Sequence, residues 1–331
     1  MIYVTGDTHA DFSRFSSKRF TAFDKMTKED YVIICGDFGG VWNSNEESSQ
    51  EKYWMDWFES KPFTTLFIDG NHENFDRLYN YPIEVWNGGK VHKIRPSVIH
   101  LMRGQVFTIE GKKIFTFGGA RSHDISAGIL ELDDPDFEKK RKKLDSGFEP
   151  YRVNHLSWWE KEMPTNEEME EGRANLEKVN YEVDYVITHC CSSSAQCMLE
   201  KEFDCMFETD VLTRYFQILE KKLSYKHWYF GHYHANQEVD EKHTLLYQAM
   251  MLIDGEANLD KVSVPGRPRY MRTDVVKFWW KDTEKIGQIY SVDAYGTFEQ
   301  REEPSYDIFV EEDNCIYKHI IESEILEKGD M

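Results

Sequence analysis

Five short apolar runs in this 331-residue chain end in the same manner, and that habit limits the folds open to it. Ile2-Tyr3-Val4 leads into Gly6-Asp7-Thr8-His9, and Tyr31 to Cys35 leads into Gly36-Asp37. Thr65 to Ile68 leads into Gly70-Asn71-His72-Glu73, Tyr185 to Ile187 into Thr188-His189, and His227 to Phe230 into Gly231-His232-Tyr233-His234. Each run is β-branched or aromatic and bounded by Gly or a polar residue, the pattern of a strand buried on both faces. Such strands need helices on either side. Amphipathic helical patterns lie between them: Asn45 to Ser60, with Tyr53, Trp54, Trp57 and Phe58 at helical spacing, and Thr209 to Lys222, with Val211, Leu212, Tyr215, Phe216 and Leu219 on one face. Lys113 to Phe117 is a further strand. The alternation predicts an α/β fold.

Two segments break the pattern. Residues 122–180 are charged, carry Trp158-Trp159 and Pro164, and read as a partly helical insertion between core strands. It is either a lid near a site or a solvated surface excursion. Beyond Asp254, Val264 to Pro268 reads as a linker or turn, and Val275 to Trp280, Ile286 to Val292 and Asn314 to Ile321 read as strands. The expected organisation is a domain over 1–254 with the insertion at about 122–180, followed by a small β-rich extension over 255–331 that could mediate a homo-oligomer.

Sixty acidic residues against 40 basic ones give a formal net charge of −20, which repels bulk polyanions at long range. A small anionic substrate at a metal site stays compatible with that charge, because bound cations dominate the local field. There is no apolar run long enough to span a membrane and no secretory signal, and the six Cys form no CxxC pair. Reduced thiols in a cytoplasm are the expectation.

The polar strand ends form one collection: Asp7, His9, Asp37, Asn71, His72, His189, His232 and His234. Parallel strands bring their carboxyl ends to one sheet edge, where α/β proteins bind ligands. Carboxylate, imidazole and amide oxygen suit divalent Mn, Fe or Zn. Convergence there would offer about seven ligands, enough for two metals sharing one carboxylate.

The ordered blocks GDTH (6–9), GD (36–37), GNHE (70–73), TH (188–189) and GHYH (231–234) resemble the calcineurin-like metallophosphoesterase family over most of residues 1–254. The resemblance implies a four-layer αββα sandwich with a two-metal site. It implies that Asp7, His9 and His234 hold one metal, that Asn71, His189 and His232 hold the other, and that Asp37 bridges both. Manganese is the first expectation for both ions, with iron or zinc as alternatives. A hydroxide held between the metals would attack phosphorus. His72 would protonate the leaving alkoxide or hold the phosphate as imidazolium. Glu73 would cap the following helix or orient the turn.

The sequence departs from the family where an Asp commonly pairs with the catalytic His: Gly40 stands there, in Gly36-Asp37-Phe38-Gly39-Gly40-Val41-Trp42. The GDxxDRG signature of protein Ser/Thr phosphatases is absent as well. Arg121, after the strand ending at Phe117, is a candidate to grip a phosphate, against a structural ion pair. Trp158-Trp159 could stack on a base or pack the insertion down, Cys190-Cys191 read as buried thiols, and the run Lys139 to Lys143 reads as a solvated helix face. The expected activity is hydrolysis of a phosphate monoester or diester, with a small soluble substrate favoured. The competing readings are a nuclease for short or single-stranded nucleic acid, which a channel lined by Arg121, Arg152 and the Lys139 run would support, and a non-catalytic metal-binding scaffold.

Overall fold

The computed structural model describes all residues except 16–19, 21, 23–24, 44–45, 256–267, 282, 298–302 and 329–331. The turn expected at 264–268 therefore lies, apart from Pro268, outside the described residues. The chain divides into two compact units, Met1–Ala257 and Asn258–Met331.

The first unit holds β1 (Ile2–Thr5), β2 (Tyr31–Ile34), β3 (Thr64–Phe67), β4 (Ile83–Trp86), β5 (Gly89–Arg95), β6 (Val98–Leu101), β7 (Gln105–Ile109) and β8 (Lys112–Phe117). After these come β9 (Ile129–Leu130), β10 (Arg152–Val153), β11 (Tyr185–Thr188), β12 (His227–Phe230), β13 (Gln237–Asp240), β14 (His243–Leu245) and β15 (Met250–Leu252). Its helices are α1 (Ser49–Glu59), α2 (Phe75–Leu78), α3 (Phe137–Gly147), α4 (Asn166–Lys178), α5 (Ser193–Phe203) and α6 (Val211–Glu220).

Two mixed sheets carry the architecture. One runs β15-β1-β2-β3-β6-β5-β4 and the other β13-β14-β12-β11-β8-β7. In the first, β1, β2, β3 and β6 are parallel, with Val4 beside Ile33, Ile33 beside Leu66 and Leu66 beside Ile99. In the second, β8, β11, β12 and β14 are parallel, with Thr188 beside both Phe117 and Phe230. Period-two alternation sorts the side chains into layers. Val32, Ile34 and Phe67 pack outward on Met55 and Phe58 of α1. Phe115, Phe117, Val186, Trp228 and Phe230 pack outward on Met169, Leu176, Leu199, Leu212 and Phe216 of α4, α5 and α6. The intervening Ile33, Leu66, Ile114 and Ile187 are fully buried on the opposite faces, between the sheets. The Tyr229 hydroxyl ties the two sheets by donating to the Ile253 carbonyl at 2.8 Å. The result is the expected four-layer αββα sandwich. Truncating one of these inner residues to Ala would cost about 2–5 kcal/mol.

Helix ends follow local chemistry. The pattern from Asn45 becomes helical at Ser49, because Ser48 accepts from the Glu51 amide at 3.1 Å and Glu51 accepts from the Ser48 amide at 2.8 Å, a reciprocal cap. Asp210 opens α6 by accepting from the Leu212 and Thr213 amides at 2.8 and 2.9 Å. The 122–180 segment divides in two. Met169 and Leu176 of α4 belong to the sandwich core, whereas β9, α3 and β10 form a separate excursion whose two short strands pair in parallel. Trp159 is buried, donates to Asp76 at 2.6 Å and packs edge-on against Trp42, so it fastens the excursion down.

The second unit is a five-stranded antiparallel sheet, β19-β18-β17-β16-β20, built from β16 (Val275–Trp280), β17 (Thr283–Asp293), β18 (Ser305–Val310), β19 (Cys315–Ile321) and β20 (Ile325–Lys328). Val276, Phe278, Ile289, Tyr306, Ile308 and Ile320 form its own core.

Candidate metal centre

The parallel strands of both sheets deliver their carboxyl-end residues to one place. Asp7, His9, Asp37 and His234 each offer a donor atom, and the four atoms lie within 4.8 Å of one another. His9 Nε2 is 3.6 Å from Asp37 Oδ2 and 2.9 Å from His234 Nε2, and His234 Nε2 is 3.3 Å from Asp7 Oδ2. On the other side of Asp37, His189 Nε2 lies 3.3 Å from both Asp37 Oδ1 and Asn71 Oδ1. His189 Nδ1 is 2.7 Å from the Cys35 carbonyl, which directs its other nitrogen inward. The His232 ring centroid lies 5.1 Å from that of His189. All seven expected ligands thus meet at one sheet edge, with Asp37 between two groups.

Backbone geometry holds the carboxylates in place. The His232 amide donates to both Asp7 oxygens at 3.0 Å, and the His72 amide donates to Asp37 Oδ1 at 2.8 Å. The preceding glycines make room for them: a Cβ on Gly70 would stand 2.0 Å from Asp37 Oδ1, and one on Gly231 would stand 2.0 Å from Asp7 Oδ1. His9, Asp37, His232 and His234 all have left-handed φ, between 44° and 72°. Such backbone costs about 1–3 kcal/mol per residue and concentrates at functional sites.

Asp7 and Asp37 are buried, and among the described residues their ion-pair partners are all imidazoles. Burial opposes charge on Asp37, but His189, His72 and His9 outweigh it and hold the carboxyl well below its usual range. Burial likewise opposes charge on His189, yet Asp37 and Asp7 push it up to about 10. His9 and His232 are pushed down, chiefly by burial. Two facing imidazole nitrogens beside two buried carboxylates need positive charge between them. A divalent cation fits that donor set better than protons do, since it satisfies every lone pair at once.

Asn71 and His72 divide the labour of one turn. The Asn71 amide nitrogen donates to Ser122 Oγ at 3.2 Å, and Ser122 donates to Glu162 at 2.6 Å, which leaves the amide oxygen toward His189. The His72 ring instead lines a cavity of about 330 Å³ together with His9, Asp37, Asn71, His123, Asp124, Arg152, His232 and His234. Burial, against the pull of Asp37 and with Arg152 adding to it, lowers His72 to about 4. The expected helix cap falls to Asn74, which accepts from the Arg77 amide at 3.1 Å. Glu73 is fully buried and accepts from the Phe38 amide at 2.7 Å, so it ties the Asp37 turn to the His72 turn.

Gly40 leaves no room for an Asp: its Cβ would stand 2.4 Å from Phe38 and 2.6 Å from Met55, inside the core. The group facing His72 is Arg152, whose Nη1 and Nη2 lie 3.3 and 3.2 Å from Nδ1 and Nε2. Asp124 accepts from Arg152 Nε at 2.9 and 3.0 Å, and the Ser157 carbonyl accepts from Nη1 at 3.0 Å. Arg121, the expected phosphate contact, lies elsewhere. It pairs with Glu208 at 2.6 Å, is exposed, and borders a smaller neighbouring cavity rather than the one around His72. Asp124 and His123 are site groups that motif reading did not single out, and Arg152 was named only as a wall of a nucleic-acid channel, not as the partner of His72. Their one sequence signal is the charged segment itself. Cys190 and Cys191 are buried, and burial raises both thiols far above their ordinary range, so they are inert.

An α/β sandwich with this edge defines a class of metal-dependent hydrolases, of which several families share the donor types. A family model described as calcineurin-like phosphoesterase matches residues 1–236, and the chain belongs to that family. It is similar to lariat debranching enzyme A of Xenopus laevis, 25% identical over 143 residues, which cover 39% of this chain and 26% of that protein. It is also similar to the lariat debranching enzyme of Danio rerio, 26% identical over 146 residues, which cover 40% of this chain and 24% of that one. The match thus spans about a quarter of the length of each relative. No helix among the described residues is long and apolar enough to cross a membrane.

Proposed function

We propose that the chain hydrolyses a phosphodiester of modest size, with Asp7, His9 and His234 holding one divalent cation, Asn71, His189 and His232 a second, and Asp37 shared between them. When bound, such cations supply Lewis-acid charge and make water acidic enough to act as a nucleophile near neutral pH. Manganese is the metal proposed, on the mixed oxygen and nitrogen donor set.

The remaining work falls to the chain's own groups. Arg152, fixed by Asp124 and Ser157, presents its guanidinium to the cavity. It would grip a non-bridging phosphoryl oxygen and strengthen that grip as charge develops. His72, held in the same cavity by its backbone bond to Asp37, would as imidazolium give a ring-nitrogen proton to the departing oxygen and be left as neutral imidazole. The observation that carries the reading is the contact of Arg152 with His72, at 3.2 and 3.3 Å, in a cavity lined by five of the seven metal-ligand candidates, His9, Asp37, Asn71, His232 and His234. A non-catalytic scaffold needs neither group. The names of the two relatives add weight to a diester, and the acidic surface favours a short substrate over a long polyanion. The test is hydrolysis of bis-p-nitrophenyl phosphate and p-nitrophenyl phosphate with Mn²⁺. The diester should be preferred, and His72→Ala should cut turnover by about 10²–10⁴-fold while the metal content per chain stays the same.

A further inference from the structure

A second cleft opens beside the metal cavity and shares His9 and His72 with it. It holds about 380 Å³, within the range of small-molecule pockets, and Phe12, Trp42 and Trp54 form its aromatic walls. Gly39 and Gly40 also border it. A Cβ on Gly39 would approach the Ala10 amide to 2.7 Å, so this wall is bare backbone by necessity. The walls are set in advance of any ligand. Trp42 packs against Trp159, its carbonyl accepts from Asn74 Nδ2 at 3.0 Å, and Trp54 packs edge-on against Phe12. Glu51 anchors the same loop by accepting from the Asn43 amide at 2.8 Å while paired with Arg77 at 2.8 Å.

Resting on the function proposed above, we infer that this cleft receives a nucleobase attached to the phosphate under attack, which makes the substrate class a nucleotide ester. Three observations select that occupant. The cleft borders the phosphate cavity and shares His9 and His72 with it, so a substituent of a phosphate held beside His72 can reach it. Among the described residues no Lys or Arg lines it, and the one carboxylate, Glu51, is already paired. A second phosphate or an acidic chain would therefore find no partner there, whereas a neutral ring would. The walls are flat indole and phenyl groups, with the Asn43 and Gln50 carboxamides among the lining side chains, which suits a planar ring with polar edges. On a chain of net charge −20, stacking also supplies affinity that backbone electrostatics cannot.

The test compares adenosine monophosphate with ribose 5-phosphate as inhibitors of bis-p-nitrophenyl phosphate hydrolysis by the Mn²⁺-loaded full chain. The two carry the same phosphate and sugar and differ by the base. Adenosine monophosphate should inhibit roughly tenfold more tightly, the fold-change expected of one base–aromatic stack. That advantage should vanish in Trp42→Leu and shrink in Trp54→Leu. An unchanged ribose 5-phosphate constant in both variants verifies that they are folded. Equal inhibition by the two compounds overturns the inference, and so does an advantage that survives both substitutions. If the protein turns over no ester, the proposed activity fails. The same pair titrated by calorimetry against the Mn²⁺-loaded chain then decides the base-binding cleft by the same criteria.

Discussion

Replacing Asp69 by Asn should remove about 3 kcal/mol from the stability of the first unit. Asp69 is fully buried two residues past the end of β3 and two residues before Asn71. It accepts from Arg103 Nε at 2.8 Å and Nη2 at 2.6 Å, and His100 Nε2 stands 3.0 Å away. Removing one partner of a buried pair strands the other charge, at about 3–5 kcal/mol. Arg103 would keep the Lys161 and Glu162 carbonyls at 2.8 and 3.2 Å, which argues for the lower end. The ionisation of Asp69 leads to a similar figure. Burial opposes its charge, but Arg103 and His100 prevail and lower it from 3.8 to about 2. A shift of about two units corresponds to about 2.5 kcal/mol. Because the folded value lies below the unfolded one, this stabilisation is complete above about pH 4 and is lost as the pH falls through about 2. Cys35, Cys190 and Cys191 are buried in the first unit, while Cys197, Cys205 and Cys315 are exposed. Pulse labelling of the three protected thiols during a urea titration with chelator therefore reads the first unit alone. Acid titration followed by circular dichroism gives the pH arm. A loss under about 1 kcal/mol at pH 7, or a gap between the two proteins that persists at pH 2, would refute the reasoning.

Arg152→Met should lower kcat/KM for the diester about 30-fold or more, the equivalent of about 2 kcal/mol for a charge-assisted contact, and Arg152→Lys should restore only part of it. His72→Ala should cut kcat about 10²–10⁴-fold while metal per chain, read by plasma mass spectrometry, is unchanged. Gly70→Ala places a methyl 2.0 Å from Asp37 Oδ1, so the variant should bind metal at least tenfold more weakly by calorimetry. Leu66→Ala, between the sheets, should destabilise by about 2–5 kcal/mol in the same thiol-labelling titration.

The strands that carry the site were legible because they are buried on both faces. Runs such as Tyr31–Ile34 and His227–Phe230 read as continuous apolar segments, and their polar ends stood out against them. The antiparallel strands β4 to β7 were not legible. Ile83–Trp86 is largely solvent-exposed, so its composition carries no burial signal, and the Asn87-Gly88 turn that joins β4 to β5, a hairpin signal in itself, was not read as one. The metal-ligand candidates could be collected because all seven follow the ends of five core strands. Arg152 could not. It reaches His72, 80 residues earlier, only because β10 pairs with β9 and Asp124 holds its guanidinium. Arg121 looked better placed, directly after a core strand, but the fold turns it toward Glu208. The missing Asp at Gly40 was visible as a gap. That a cation from a distant excursion faces His72 in its stead required the tertiary structure.

The measurement that tests the central claim most directly is turnover of bis-p-nitrophenyl phosphate by the purified chain with Mn²⁺, beside an Asp37→Asn variant prepared identically. The account predicts metal-dependent hydrolysis in the parent, two Mn²⁺ per chain, and the loss of both in the variant. Hydrolysis that survives Asp37→Asn, or two bound Mn²⁺ with no turnover of either chromogenic ester, would contradict it.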